Sequence, residues 1–528
     1  MRDLQLPGRS PAYGVNGMAA SSHPLSTQAA LDILQAGGNA VDAAVAACAV
    51  QCVVEPGSTG IGGDCFALYV PGGEGEVIGL NGSGWAPQAL TSDYLLEQGI
   101  NKIDVSSPHA VTVPGAIDAW DRLLKDHGTM GLDKVLQHAI NYAENGWAVT
   151  QRVALDWSRA ADRLNATDSA KAQYTRDGVA PKAGELWKLP KLAATLKKIA
   201  AEGRDGFYKG TVADDMVNYL NSVGGLHSLD DFAEQRAEYV TPIATNYKGY
   251  DIHQIPPNGQ GITALMMLNI LSGYDLPAMD PVGIERLHLE TEASRLAYAT
   301  RDKYVADQRF ANVPVEMMLS AEFADELRAQ IDPKQALDAP EATGPTYRDT
   351  IYLTVVDKDR NTCSFINSLF FSYGSGLVSP ESGVILQNRG SGFRVEPGHP
   401  NNIEPRKRPM HTIIPGMCMK DGRVNLSYGV MGGGYQPVGH THVLTNVIDY
   451  GMDPQAAIDC PRVFHTEGVL DIERGVPDNV AAGLAALGHK TGVPEMPWGG
   501  GQMIGIDWEN GTLVGGSEPR KDGIALGY

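Results

Sequence analysis

The 528-residue chain carries 62 acidic against 42 basic side chains, a formal charge of −20, which argues against nucleic acid and anionic membrane as partners because both require a cationic surface. Its 43% hydrophobic content can fill a large core, and its length corresponds on average to about three or four domains.

From the N-terminus, Met1 to Ser10 lacks the apolar run of a secretory signal, and no later stretch approaches the ~18 apolar residues of a membrane helix. A cytoplasmic location is expected. Ser26 can cap a helix over Thr27 to Ala36 that stops at Gly37-Gly38, and Asn39 can cap a second over Ala40 to Val53. The second is apolar on every face and is expected to be buried. Strands are expected at Phe66 to Val70, Val77 to Leu80 and Tyr250 to Ile255. Further helices are expected at Leu123 to Glu144, Leu192 to Glu202, Thr211 to Val223 and Glu285 to Asp302. Asp338 to Arg348, rich in Pro, Gly and Thr, reads as a surface linker that tolerates a cut. Beyond it, Ile351 to Val356, a polar turn at Asp357 to Asn361 and Thr362 to Leu369 read as a hairpin. Periodicity alone supports a mixed α/β fold. The six cysteines, Cys48, Cys52, Cys65, Cys363, Cys418 and Cys460, show neither a disulfide framework nor a zinc spacing, so buried thiols are expected.

The hairpin opens at Thr350. If the Asp349-Thr350 bond is cut, this one residue supplies a hydroxyl nucleophile and a free α-amine to act as its base. An α-amine with a pKa near ~7.7–8.0 is partly neutral around neutral pH, so none of the thirteen histidines is required. That chemistry suits amide hydrolysis. A threonine at a strand start is ordinary in itself, since β-branched residues favour strands. The surrounding motifs have to decide.

Those motifs are Gly37 to Ala44, Gly60 to Asp64, Val113 to Gly115, Val355 to Asp359, Tyr373 to Gly376, Glu381 to Leu386, Lys407 to Pro409, Gly432 to Gly434, and a tail from Asp522-Gly523 to Gly527-Tyr528. In this order, from about Gly17 onward, they resemble the γ-glutamyltransferase family of N-terminal-nucleophile hydrolases. The resemblance implies a four-layer αββα sandwich built jointly by two self-cleaved pieces, 1–349 and 350–528, which together make one catalytic domain. It implies no metal and no organic cofactor. Asp349 and Thr350 flank the cleaved bond, and Thr350 is the nucleophile. Ser368 falls at the family's second hydroxyl, and Gly432-Gly433 at the paired glycines whose N–H groups form the oxyanion hole. Tyr352, Phe370, His411 and Thr412 fall at substrate-binding positions.

Ser83 and Gly392 stand where γ-glutamyl enzymes carry the arginine and aspartate that hold the amino-acid head. Without them a charged head would go unpaired in a desolvated pocket, so γ-glutamyl substrates should be rejected. Arg389 stands where relatives place an acidic or amide residue, and a guanidinium can hold a small carboxylate in a bidentate fork. Within the family the resemblance runs to the enzymes of oxamate, so the expected reaction is oxamate to oxalate and ammonia in purine breakdown. The alternatives are a γ-glutamyl hydrolase or transferase, an acylase, or an unprocessed binding relative. Expected partners are a small anionic amide and the two pieces themselves; a homo-oligomer of the processed pair stays open.

Overall fold

Two antiparallel seven-stranded sheets lie face to face in the computed structural model, which describes residue 5, residues 8–338 and residues 349–528. Apart from Asp338, the expected linker lies outside the described residues. In chain order the strands are β1 (Ala12–Gly14), β2 (Met18–Ser21), β3 (Asp64–Val70), β4 (Ile78–Gly82), β5 (Glu238–Val240), β6 (Ile243–Tyr247) and β7 (Tyr250–Gln254). After the linker come β8 (Ile351–Val356), β9 (Thr362–Ser368), β10 (Gly416–Lys420), β11 (Arg423–Met431), β12 (Gly500–Asp507), β13 (Thr512–Ser517) and β14 (Ile524–Gly527). One sheet runs β1-β13-β12-β11-β10-β7-β6 and the other β14-β2-β8-β9-β3-β4-β5.

Side-chain alternation along β8 shows how the layers form. Ile351, Leu353 and Val355 point outward into the core under the helices, while Tyr352 and Val356 point at the facing sheet. Thr354 shares the inner face, and its Oγ1 lies 2.6 Å from Ser427 Oγ on β11, a hydrogen bond between the sheets. Outside the β8 sheet lie α1 (Pro24–Gln35), α2 (Ala40–Val54) and α3 (Ala116–His127). Outside the other sheet lie α4 (Gly261–Leu271) and α5 (Ile284–Tyr304), with α6 (Gln436–Ile448). The order is helix, sheet, sheet, helix, an α/β fold.

The expected apolar helix is α2. Asn39 accepts from the Val41 and Asp42 N–H groups while Asp42 accepts from the Asn39 N–H, a capping box, and every residue of the helix is buried. The first helix differs from expectation. It starts at Pro24, whose missing N–H suits a first turn, and His23 caps it, so Ser26 lies inside and donates to the Ala47 carbonyl of α2 at 3.0 Å. The single helix expected over Leu123 to Glu144 is three, Ala116–His127, Leu132–Val135 and Gln137–Asn145. The break is caused by Asp42, whose carboxylate accepts the Thr129 and Met130 N–H groups and leaves 2.6 Å to where a Cβ on Gly128 would stand. The hairpin β8–β9 and the strands β3, β4 and β7 lie where expected, with ends shifted by one or two residues. All six cysteines are buried and free. Among the described residues, no helix is long and apolar enough to cross a membrane.

Burial holds four imidazoles neutral: His23, His227 and His411 fall from 6.5 to about 4 and His440 to about 3. The unfolded chain takes up these protons below pH 6.5 and the folded chain does not until about pH 4, so this stability is complete above 6.5 and drains away as pH falls. Each imidazole contributes a slope of up to about 1.4 kcal/mol per pH unit in that window. Asp349, lifted to about 6 by burial, acts in the opposite sense and offsets part of it. The thermal midpoint should fall between pH 7 and pH 5; a flat profile would contradict the neutral buried histidines.

Candidate active site

Strand register builds the site as a row. Ile351 pairs with Asn367 on β9, and Ser368 pairs with Asp64 on β3. Thr350, one residue ahead of β8 and in step with Tyr352, therefore heads the line Thr350, Ser368, Asp64 on the inner face. All three are fully buried. The Thr350 hydroxyl donates to the carbonyl oxygen of the preceding residue, Asp349, and its Oγ1 lies 2.9 Å from Ser368 Oγ. Having one proton, Thr350 uses it on Asp349, so Ser368 donates to Thr350 while accepting the Phe370 N–H at 3.0 Å. This serine orients the nucleophile and the next turn of chain together.

Cross-sheet packing locates the paired glycines. Thr354 meets Ser427, and a Cβ on Gly429 would sit 2.5 Å from the Tyr352 ring; Thr350 lies two residues further along β8, and Met431 and Gly432 two and three further along β11. Gly432 and Gly433 have φ of 133° and 57°, left-handed values that favour glycine. At Gly432 a side chain would also strike the Gly499 backbone at 2.9 Å.

Asp64 is the hub at the far end of the row. Its Oδ1 accepts the Gly84 N–H (2.9 Å), the Gly115 N–H (3.1 Å) and Gln387 Nε2 (2.8 Å), and its Oδ2 accepts His411 Nε2 at 3.0 Å. The other imidazole nitrogen, Nδ1, accepts the Ile413 N–H, which fixes the tautomer. Burial, then the Arg389 charge, hold His411 near 4, against the pull of Asp64. His411 is thus a neutral strut with both nitrogens bonded to protein. Tyr352, also expected to meet substrate, lies between the sheets with its hydroxyl 2.8 Å from Ser364 Oγ. The cause is distance along the strand: Tyr352 shares the face of Thr350, but two residues further on that face lies against Gly429 of β11.

Phe370, Arg389 and Thr412 do come together. Arg389 opens a short 3-10 turn, is fully buried, donates from a terminal nitrogen to Thr412 Oγ1 at 2.6 Å, and stacks its guanidinium 3.9 Å from the centre of the Phe370 ring. A Cβ on Gly392 would stand 3.9 Å from the edge of the same ring, an ordinary contact distance, so Gly392 borders this cluster. Ser83 lies one strand beyond Asp64, its hydroxyl accepting from Asn258 Nδ2 at 3.2 Å.

The sequence reading passed over Asp64 and Gln260. Gln260 Nε2 donates to the carbonyls of Thr412 (2.7 Å) and Gly433 (3.0 Å), and its N–H to that of His411 (2.8 Å), tying the Arg389 side of the site to the paired glycines. Arg301 secures its Oε1 at 2.8 Å. The only signals were Asp64 closing the glycine run from Gly60 and the turn-rich Pro256 to Gly261. Two grooves reach this region, one of about 760 Å³ holding Asp349, Arg163 and Trp498, the other of about 650 Å³ holding Gly392, Phe393 and Met410. His288, Glu292 and His489 form the three-residue group among the described residues that could close on a metal. There Arg295 already lies 3.1 Å from Glu292, and the imidazoles bond each other at 2.8 Å.

The family model described as Gamma-glutamyltranspeptidase matches residues 26–528. A glutathione hydrolase-like YwrD proenzyme of Bacillus subtilis is 38% identical, over 97% of this chain and 99% of its own. The crystal structure of cephalosporin acylase from Bacillus halodurans matches with a TM-score of 0.94 and 41% identity, over 100% of this chain and 99% of that one. An oxamate amidohydrolase proenzyme of Klebsiella pneumoniae is 32% identical over 98% and 100% of the two chains. The oxamate enzyme is less similar than the other two, so the expected leaning to that branch is not singled out. Matched over nearly its whole length in both sequence and fold, the chain belongs to the gamma-glutamyltranspeptidase family.

Proposed function

We propose that this chain is a self-processing amide hydrolase, cut before Thr350 into pieces 1–349 and 350–528, whose freed threonine hydrolyses small carboxylate-bearing amides. The observation that carries it is the Thr350 hydroxyl, engaged at once with the Asp349 carbonyl and with Ser368. In processing, Oγ1 attacks that carbonyl carbon, the acyl group moves from nitrogen to oxygen, and water cleaves the ester. In turnover the new α-amine takes the hydroxyl proton as Oγ1 attacks the substrate amide, the oxyanion faces the Gly432 and Gly433 N–H groups, and ammonia leaves with the proton. Water then releases the acid. The relatives named as proenzymes support the processing step.

For the substrate, the buried Arg389 with Thr412 supports a carboxylate held close to the amide. Oxamate is the smallest such amide and is the proposed substrate. Ser83 and Gly392 weigh against a γ-glutamyl head. The second reading, an acylase taking larger acyl groups, is favoured by the 41% identity to cephalosporin acylase. Ammonia release from oxamate, succinamate and glutamine, beside cysteinylglycine release from glutathione and acid release from a cephalosporin side-chain amide, separates the two.

The purified protein should run as two pieces on a denaturing gel, with Thr350 at the N-terminus of the smaller by mass spectrometry. Thr350→Ala should stay a single inactive chain; any other N-terminal residue on the small piece rules out this nucleophile. Ser368→Ala, once processed, should turn over roughly 10–100-fold more slowly, the effect of one orienting hydrogen bond. Turnover at the wild-type rate would remove Ser368 from the mechanism. Arg389→Ala should raise KM for oxamate and lower kcat/KM by roughly 2–4 kcal/mol in all, and Arg389→Lys should recover only part, since an ammonium lacks the planar fork. An unchanged kcat/KM in processed Arg389→Ala would move the carboxylate site elsewhere.

A further inference from the structure

The paired glycines sit in the turn that joins β11 to α6, and glycine gives this turn freedom to leave the site as well as room to approach it. Each carbonyl of the glycine run is bonded. The Gly432 carbonyl accepts the Tyr435 N–H at 3.0 Å, the Gly433 carbonyl accepts from Gln260 Nε2 at 3.0 Å, and the Gly434 carbonyl accepts the Tyr298 hydroxyl. In a trans peptide the N–H points opposite to the carbonyl before it, so the bond on Gly432 aims the Gly433 N–H, and the bonds on Gly433 and Gly434 anchor the two peptides that follow. The Gly432 N–H follows Met431, which is set by its pairing with Gly500 on β12.

Only the first of these bonds is local. Gln260 immediately precedes α4 and Tyr298 lies on α5, so both belong to piece 1–349 while the glycines belong to piece 350–528. One arrangement of the Gln260 amide satisfies all of its partners. Arg301, which can only donate, lies 2.8 Å from Oε1, and the two hydrogens of Nε2 meet two carbonyls, Gly433 and, at 2.7 Å, Thr412. Arg301 is held in turn by Asp302 at 2.6 Å, and its guanidinium lies 4.5 Å from the centre of the Tyr298 ring. Gln260 and Tyr298 are both buried, braced on each other through this arginine.

We propose that Gln260 and Tyr298 are positioning residues for turnover: they hold the Gly433 and Gly434 carbonyls so that the turn cannot swing and the N–H groups of Gly432 and Gly433 stay aimed at the oxyanion. This rests on reading those N–H groups as the oxyanion hole of Thr350. Neither side chain bonds the substrate or carries a proton. Donors fixed before the charge develops need no reorganisation as it forms, so a tether on the carbonyl side of the turn acts on rate. Gln260 has a second effect that Tyr298 lacks, because its other hydrogen holds the carbonyl of Thr412, whose hydroxyl meets Arg389. Tyr298 therefore bears on the chemical step alone, and Gln260 on that step and on the grip of the substrate carboxylate.

The test is steady-state hydrolysis of oxamate, or of whichever amide the wild type turns over, with inhibition by the product acid, for processed wild type, Tyr298→Phe and Gln260→Met. Tyr298→Phe keeps the ring beside Arg301 and loses only the hydroxyl. Its kcat should fall about tenfold or more, with KM and the inhibition constant of the acid within about twofold of wild type. Gln260→Met keeps the volume and loses both N–H bonds, so it should lower kcat at least as far and also weaken the acid about fivefold or more. An unchanged kcat in Tyr298→Phe, or a KM that rises as far as kcat falls, overturns the proposal. Acid bound by Gln260→Met as tightly as by wild type overturns the coupling through Thr412. If Gln260→Met does not fold or is not cleaved, Tyr298→Phe decides alone. Hydrolysis of no amide by the wild type would instead sink the reading of Thr350 as a hydrolytic nucleophile.

Discussion

The hydrogen bond between Thr350 and Ser368 exists because β8 and β9 pair in one register and no other. A slip of one residue would turn Thr350 to the outer face, among the side chains under α2, and bring Ile351 to the inner face in its place. The register is held from both sides. Ile351, Leu353 and Val355 have a helix-covered core to fill, and Thr354 has a partner on the opposite sheet. An ordinary hairpin thereby fixes which face the hydroxyl takes and what it meets there. The apolar layers on either face are what hold the nucleophile still.

The same inner face carries charge that apolar layers would not tolerate alone. Asp64 is sunk between the sheets, yet it receives three N–H donors on one oxygen and a neutral imidazole on the other, so its charge is spread over bonds that need no mobile counter-ion. Arg389 is treated differently: Thr412 and the Phe370 ring support it without an acid among those contacts. In the proposed reaction that guanidinium would supply the local positive charge that an anionic substrate needs in a chain of charge −20.

Local chemistry made part of this legible. Asn39 announced its helix because capping needs only the next three residues, and Thr350 with its hairpin stood out because strand, turn and strand are contiguous. The Asp64–His411 contact joins residues 347 apart, and no local pattern carries such a pairing. The break at Gly128 was hidden for the same reason, since the carboxylate that ends α3 belongs to α2. Tyr352 differed from expectation because the resemblance supplied its position, whereas its place along β8 packs it between the sheets against Gly429. Substrate identity was the least legible, because it turns on which side chains share the space beside Phe370.

In the proposed mechanism one nucleophile serves two hydrolyses, and the groups that would support them lie in two places. Asp349 sits in the groove with Arg152, Asp156 and Arg163, whereas Arg389, Thr412 and Phe370 form a separate buried cluster. The two meet at Thr350 and Ser368, since Thr350 bonds the Asp349 carbonyl and Ser368 accepts the Phe370 N–H. Gln260 is the mechanical link on the substrate side, because a single side-chain amide spans Thr412 and Gly433. On the proposed mechanism, substitutions around Arg389 would alter which amide is accepted without disturbing the first cut. On the same proposal, sequence change in the groove acts on maturation and leaves the substrate cluster intact, which would let one fold keep its self-cleavage while relatives named for glutathione, oxamate and cephalosporin diverge.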